Sequence, residues 1–197
     1  MAEALSGLQC RRYYDVAYVG HSLVTCDTLM PVPNPWPYVN MKMIKIGGAR
    51  ADKFFDYPKF QEVLQPGYDL VIIMLGGNDI CEATDVGKLV ADLMTIHETV
   101  ENQGATCVMC TIEKRDYPQN HPHYVDAVVY NKIMNAVNKK LCKNLKGKII
   151  LLGGLTYPMD VRVMDRIHPT WEGRKRIWSK VHKAIKFHYD NWAANQE

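Results

Sequence analysis

Short apolar runs that alternate with stretches of helical period constrain this chain more than any other feature. Residues 15–20, 41–46, 69–75, 105–112 and 148–152 read as strands, and several are apolar at consecutive rather than alternate positions. A strand of that kind must be covered on both faces, as in a parallel sheet with helices above and below. Helical period fills the gaps. In residues 124–145, Val125, Val129, Ile133, Val137, Leu141 and Leu145 recur every fourth position and mark one buried stripe. Residues 85–103 bring Val86, Leu89, Val90, Leu93 and Ile96, with Gly104 as a stop. A last helix is expected from 171 to 189 with Thr170 as its N-cap. A first helix should follow Ser22, joined to the second strand by the rigid run Met30-Pro31-Val32-Pro33-Asn34-Pro35-Trp36-Pro37. The pattern predicts a doubly wound α/β sandwich on five strands.

Composition narrows the class. A chain of 197 residues, 47% hydrophobic and 23% charged, is ordinary for one globular domain and argues against disorder. One domain over 1–197 is therefore expected, with 1–12 as a flexible extension. A net charge of +3 is too small to imply nucleic acid by itself. The longest apolar run, 70–75, is broken by Gly76-Gly77 and Asp79, so no membrane span is expected. Met1-Ala2-Glu3-Ala4 does not open a secretory signal, which predicts a cytoplasmic protein. The six cysteines fit that setting. Cys107 and Cys110 form a C-x-x-C, but they sit in an apolar strand without a second ligand pair and read as core thiols.

Three segments that follow expected strands carry the chemistry. In Val19-Gly20-His21-Ser22-Leu23 a serine stands where a strand ends, at the carboxyl edge of the sheet. Alone, such a serine is more often an N-cap. Leu75-Gly76-Gly77-Asn78-Asp79 joins glycines, which let the backbone approach a ligand, to an amide able to donate to an oxyanion. Asp165-Arg166-Ile167-His168-Pro169-Thr170 sets an acid three residues before a histidine. There the acid can hold Nδ1–H and leave Nε2 to deprotonate a nucleophile.

Together these segments resemble the SGNH hydrolases, also called the GDSL esterase/lipase family, over essentially the whole chain. The resemblance implies a flavodoxin-like three-layer α/β/α sandwich with a five-stranded parallel sheet. It implies Ser22 as nucleophile, Asn78 as an oxyanion-hole donor, and Asp165 and His168 as the remaining triad members. The family's glycine after the second strand is supplied by Ile46-Gly47-Gly48-Ala49-Arg50, where Gly48 is the preferred second donor and Gly47 the alternative. Tyr130-Asn131 is similar to a further, structural family feature. No cofactor or metal is required. The first block departs from the pattern, with His21 where the family name records aspartate. A protonated histidine would be repelled by the helix dipole, so His21 is expected to be neutral and to accept a backbone N–H in the turn.

The implied activity is hydrolysis of a small-molecule ester, thioester or O-acetyl group through an acyl-enzyme. The competing expectation is a binding module that keeps the sandwich without hydrolysis and takes RNA or another polyanion. Arg174, Lys175, Arg176, Lys180, Lys183 and Lys186 on the last helix would serve it. His121-Pro122-His123, after the fourth strand, reads as a pocket-lining or solvated loop rather than a metal site. Oligomeric state is not legible.

Overall fold

The computed structural model describes residues 13–24, 38–153 and 166–195. Among these residues the chain forms five strands, β1 (Tyr14–Gly20), β2 (Val39–Lys45), β3 (Leu70–Met74), β4 (Thr106–Cys110) and β5 (Ile149–Ile150). Three α-helices accompany them among the described residues: α1 (Val86–Glu101), α2 (Ala127–Asn144) and α3 (Trp171–Ala194). All pairings are parallel and the strand order is β2-β1-β3-β4-β5, the flavodoxin-like sandwich that the strand pattern and the resemblance predict. The expected first helix, the proline-rich run and residues 1–12 fall outside the described residues.

Consecutive apolar residues split between two cores. Val16, Tyr18, Leu70 and Ile72 pack with Ile177, Val181 and Ile185 of α3. Ala17, Val19, Val71 and Ile73 face α1 and α2, against Leu93, Ile96, Val137 and Leu141. Each strand thus spends both faces on burial, which is why it reads as an unbroken apolar run. Cys107 lies in one core and Cys110 in the other, so the C-x-x-C cannot close on one ion.

Element ends moved for identifiable reasons. Asp126 accepts from the N–H groups of Val128 and Val129, so α2 starts at Ala127 rather than near 124. Asp85 caps α1 in the same way through Gly87 and Lys88. The last helix runs on to Ala194, and Tyr189 and Trp192 pack on Tyr14 with ring centroids 5.8 and 5.2 Å away. Between β2 and β3 the chain makes two short 3-10 turns, Ala51–Asp56 and Gln61–Leu64, around the stacked pair Phe54 and Phe60, whose centroids are 4.9 Å apart. No periodic pattern in the sequence marks these turns.

The strands β4 and β5 are shorter than predicted because side chains take over the pairing. The Leu152 N–H donates to Thr111 Oγ1 (2.8 Å), and Asn138 of α2 binds both the N–H and the carbonyl of Ile112 at 2.8 Å. Asn138 thus stands in for a neighbouring strand where β4 peels into its loop. Replacing it with alanine orphans two backbone groups of a buried residue, each worth about 1–3 kcal/mol. Asn138→Ala should therefore lower the urea midpoint by the equivalent of about 2–4 kcal/mol with an unchanged m-value. A loss below about 0.5 kcal/mol would show that water replaces the amide freely.

Candidate active site

The register aligns Gly20 with both Lys45 and Met74, so the loops after β1, β2 and β3 leave the sheet at one level. The order reverses between β1 and β3, and open sheets bind ligands in the crevice made there. The first loop, His21 to Val24, is held by His21 N–H on the Met74 carbonyl (3.2 Å) and Val24 N–H on the His21 carbonyl (3.0 Å). The Leu23 N–H donates to His21 Nδ1 at 3.2 Å, and His21 is fully buried. An imidazole that accepts at Nδ1 carries its proton on Nε2 and is neutral. Burial, then the positive charge of Arg115 and the nearby His168, hold its pKa well below the ordinary histidine value. The neutral, turn-binding His21 expected from sequence is thus what the fold contains.

Ser22 lies at the tip of this turn, half-buried, with its Oγ 3.0 Å from His168 Nε2. The loop carrying His168 docks on the segment after β4. Arg166 Nη1 lies 3.1 Å from Asp116 Oδ2, and the Asp116 N–H reaches the Arg166 carbonyl at 3.5 Å. Arg166 holds φ at 54°, a sparsely populated value for a residue with a side chain. Behind the histidine, Thr170 caps α3 through Gly173 N–H at 3.2 Å. Asp165 lies outside the described residues.

The other two loops meet through Asn78. Its Nδ2 donates to the Ala49 carbonyl at 2.9 Å and its Oδ1 accepts from Arg115 Nη1 at 2.8 Å. Gly48, at φ 71°, is the third residue of a turn closed by Ala49 N–H on the Ile46 carbonyl (3.2 Å), and Gly47 is the second. The Asp79 carboxylate accepts from the Ala51 N–H at 2.9 and 3.0 Å, tying the same loops a second time. Burial raises the Asp79 carboxyl above its usual range, against the pull of those N–H groups and of Arg50.

Ser22, His168 and Asn78 thus belong to loops at one sheet edge, and Gly48 joins them through its neighbour Ala49. Sequence reasoning gave Arg115, at the start of the loop after the fourth strand, no role and passed over Glu113, because no periodicity marks either as buried. Two other candidates carry less. His121 packs its ring 4.8 Å from Tyr117 and accepts the His123 N–H, and among the described residues no metal-holding group of His, Cys, Asp and Glu occurs. On α3, Lys175 and Lys186 pair with Glu172 and Asp190, and Lys180 caps the carbonyls of Leu151 and Gly153, so these three cations of the basic run are locally engaged. No helix among the described residues is long and apolar enough to cross a membrane.

The profile of the GDSL-like Lipase/Acylhydrolase family matches residues 21–176, from the serine turn into the last helix. The chain belongs to this family of esterases and lipases. Among solved structures it is similar to an acetyl xylan esterase, AlAXEase, with 18% identity over 87% of this chain and 99% of that one, at a TM-score of 0.60. It is also similar to a GDSL-like lipase from Bacteroides thetaiotaomicron, with 17% identity over 88% of each chain and a TM-score of 0.60. A psychrotrophic esterase, EstA, from Pseudoalteromonas sp. shares 16% identity over 90% of this chain and 99% of that one, at a TM-score of 0.62. At these identities the likeness is one of fold. No curated protein matches the chain.

Glu113 gives the site a measurable signature. It is buried, and no hydrogen bond of ordinary geometry reaches either carboxylate oxygen among the described residues. Burial pushes its pKa up to about 7, with Arg115 pulling the other way. A raised acid binds more protons folded than unfolded, so its contribution is complete below pH 4.5 and is lost as pH rises through about 7. Glutamine keeps the shape without the charge. Relative to wild type, Glu113→Gln should gain about 3 kcal/mol of unfolding free energy between pH 4 and pH 8. A pH-independent difference between the two proteins would show that Glu113 titrates normally.

Proposed function

We propose that this protein is a serine hydrolase that cleaves a carboxylic ester through an acyl-enzyme. The observation that carries the reading is the 3.0 Å approach of His168 Nε2 to Ser22 Oγ, made across 146 residues of sequence at the switch point of the sheet. A serine hydroxyl and a ring nitrogen at hydrogen-bond distance form a nucleophile and its base.

As Ser22 Oγ bonds to the ester carbonyl carbon, its proton passes to His168 Nε2 and the carbonyl oxygen becomes an oxyanion. Asn78 Nδ2 offers its second N–H to that oxyanion, joined by the backbone N–H groups of Ser22 and Gly48. Collapse breaks the bond to the alkoxy oxygen, which leaves as an alcohol with the proton from Nε2. Water then attacks the acyl-serine, giving its proton to Nε2, and the second collapse returns that proton to Ser22 Oγ and frees the carboxylic acid. Asp165 has the spacing to hold His168 Nδ1–H throughout. The substrate is a small acyl ester, a thioester or an O-acetyl group. Family membership supports ester chemistry, and the acetyl xylan esterase among the structural neighbours supports the acetyl end of that range.

A fluorophosphonate probe should label the native protein at one site, and Ser22→Ala should abolish labelling while leaving the thermal midpoint intact. Asn78→Ala should label and turn over about 100- to 1000-fold more slowly, the loss expected for one oxyanion donor. Labelling that persists in folded Ser22→Ala would overturn the assignment. A wild type that neither labels nor turns over any ester would favour the binding module instead.

A further inference from the structure

We propose that Arg115 is the positioning residue of the oxyanion hole, acting through the side-chain amide of Asn78. The inference rests on the esterase reading for its consequence and on the structure for its geometry. An asparagine amide can be turned either way, and only its neighbours decide which end faces where. Here both neighbours speak. A guanidinium can only donate, so the atom 2.8 Å from Arg115 Nη1 must be Oδ1. A backbone carbonyl can only accept, so the atom 2.9 Å from the Ala49 oxygen must be Nδ2. With one N–H given to Ala49, the other is left for the substrate. Ala49 alone would set that end only loosely, while a charged donor on Oδ1 fixes the far end as well.

The arginine is itself held. It is 3% exposed, and Nη1 donates also to the Tyr117 hydroxyl at 2.6 Å. The rings of Tyr117 and Tyr130 flank the guanidinium carbon at 5.8 and 5.9 Å, within the range of cation–π attraction. The Tyr130 hydroxyl donates in turn to the Gly77 carbonyl at 3.3 Å, clamping the residue before Asn78. Gly77 completes the fit, because a Cβ there would stand 2.5 Å from Arg115 Nη2. The second glycine of Gly76-Gly77 is therefore the space in which the guanidinium lies.

A buried cation hydrogen-bonded to Oδ1 does more than fix direction. Donation to an amide oxygen polarises the amide and makes its N–H a stronger donor. The effect is preorganised and costs no rearrangement when the oxyanion forms. Lysine keeps the charge and a donor for Asn78 but not the planar guanidinium that lies between the rings of Tyr117 and Tyr130.

The test is a double-mutant cycle on kcat and KM with p-nitrophenyl acetate, each variant checked by its thermal midpoint. Arg115→Met should lower kcat about 10- to 100-fold with little change in KM, and Arg115→Lys should restore part of it. In the Asn78→Ala background the same Arg115→Met change should cost less than about 2-fold, because the residue it acts through is gone. An equal loss in both backgrounds would overturn the proposal. The side-chain NH2 signals of Asn78 in a 15N spectrum, identified by their loss in Asn78→Ala, read the geometry without turnover. They should move in Arg115→Met and return toward wild type in Arg115→Lys. If they stay in place the proposal fails, whether or not the protein hydrolyses esters. If they move as expected in a protein without Ser22-dependent turnover, the esterase reading fails and the positioning geometry stands.

Discussion

The direct pairing of β1 with β3 is the constraint on which the rest of this structure depends. With β2 outside β1 and β4 outside β3, the chain leaves the ends of these neighbours in opposite directions. A crevice opens between the departing loops without any residue being designed to make it. One loop brings Ser22, the next Asn78, and the last turn before α3 brings His168. Two apolar layers hold the strands in register, so the height of each loop follows from packing that takes no part in chemistry.

The polar groups of the crevice are more deeply buried than a solvent-facing site would need. His21, Glu113 and Arg115, which follow the carboxyl ends of β1 and β4, are all buried. Two of them are protected from the cost of isolated charge, His21 by staying neutral and Arg115 by its bonds to Asn78 and Tyr117. For Glu113 burial outweighs the pull of Arg115, and the carboxyl holds its proton up to near neutrality. Arg115 is thus a buried cation fixed on Asn78, the amide that the proposed reaction sets against developing negative charge.

Much of this was legible because sheet layers write themselves into sequence. Runs such as Leu70 to Met74 announced burial on both faces, and Asp85 and Thr170 stood at helix starts where their caps are found. Ser22, Asn78 and His168 were visible from their place after strands, and the turn bond of His21 from the needs of the backbone. Arg115 was not, because a charged residue in a loop reads the same whether it faces water or an amide. Its one trace in the sequence was the doubled glycine, read as freedom of the backbone when Gly77 in fact makes room for a side chain. The 3-10 turns before β3 were missed for another reason, since four- to six-residue pieces carry no period to detect.

The separation of Ser22 from His168 has a consequence in time. The two stand 146 residues apart, and the strand that must insert beside β1 lies between them. At a synthesis rate of about 5–20 residues per second, the serine leaves the ribosome roughly seven to thirty seconds before the histidine that would activate it. On the proposed reading, a growing chain would carry an ordinary hydroxyl until the segment before the last helix brings His168 to it.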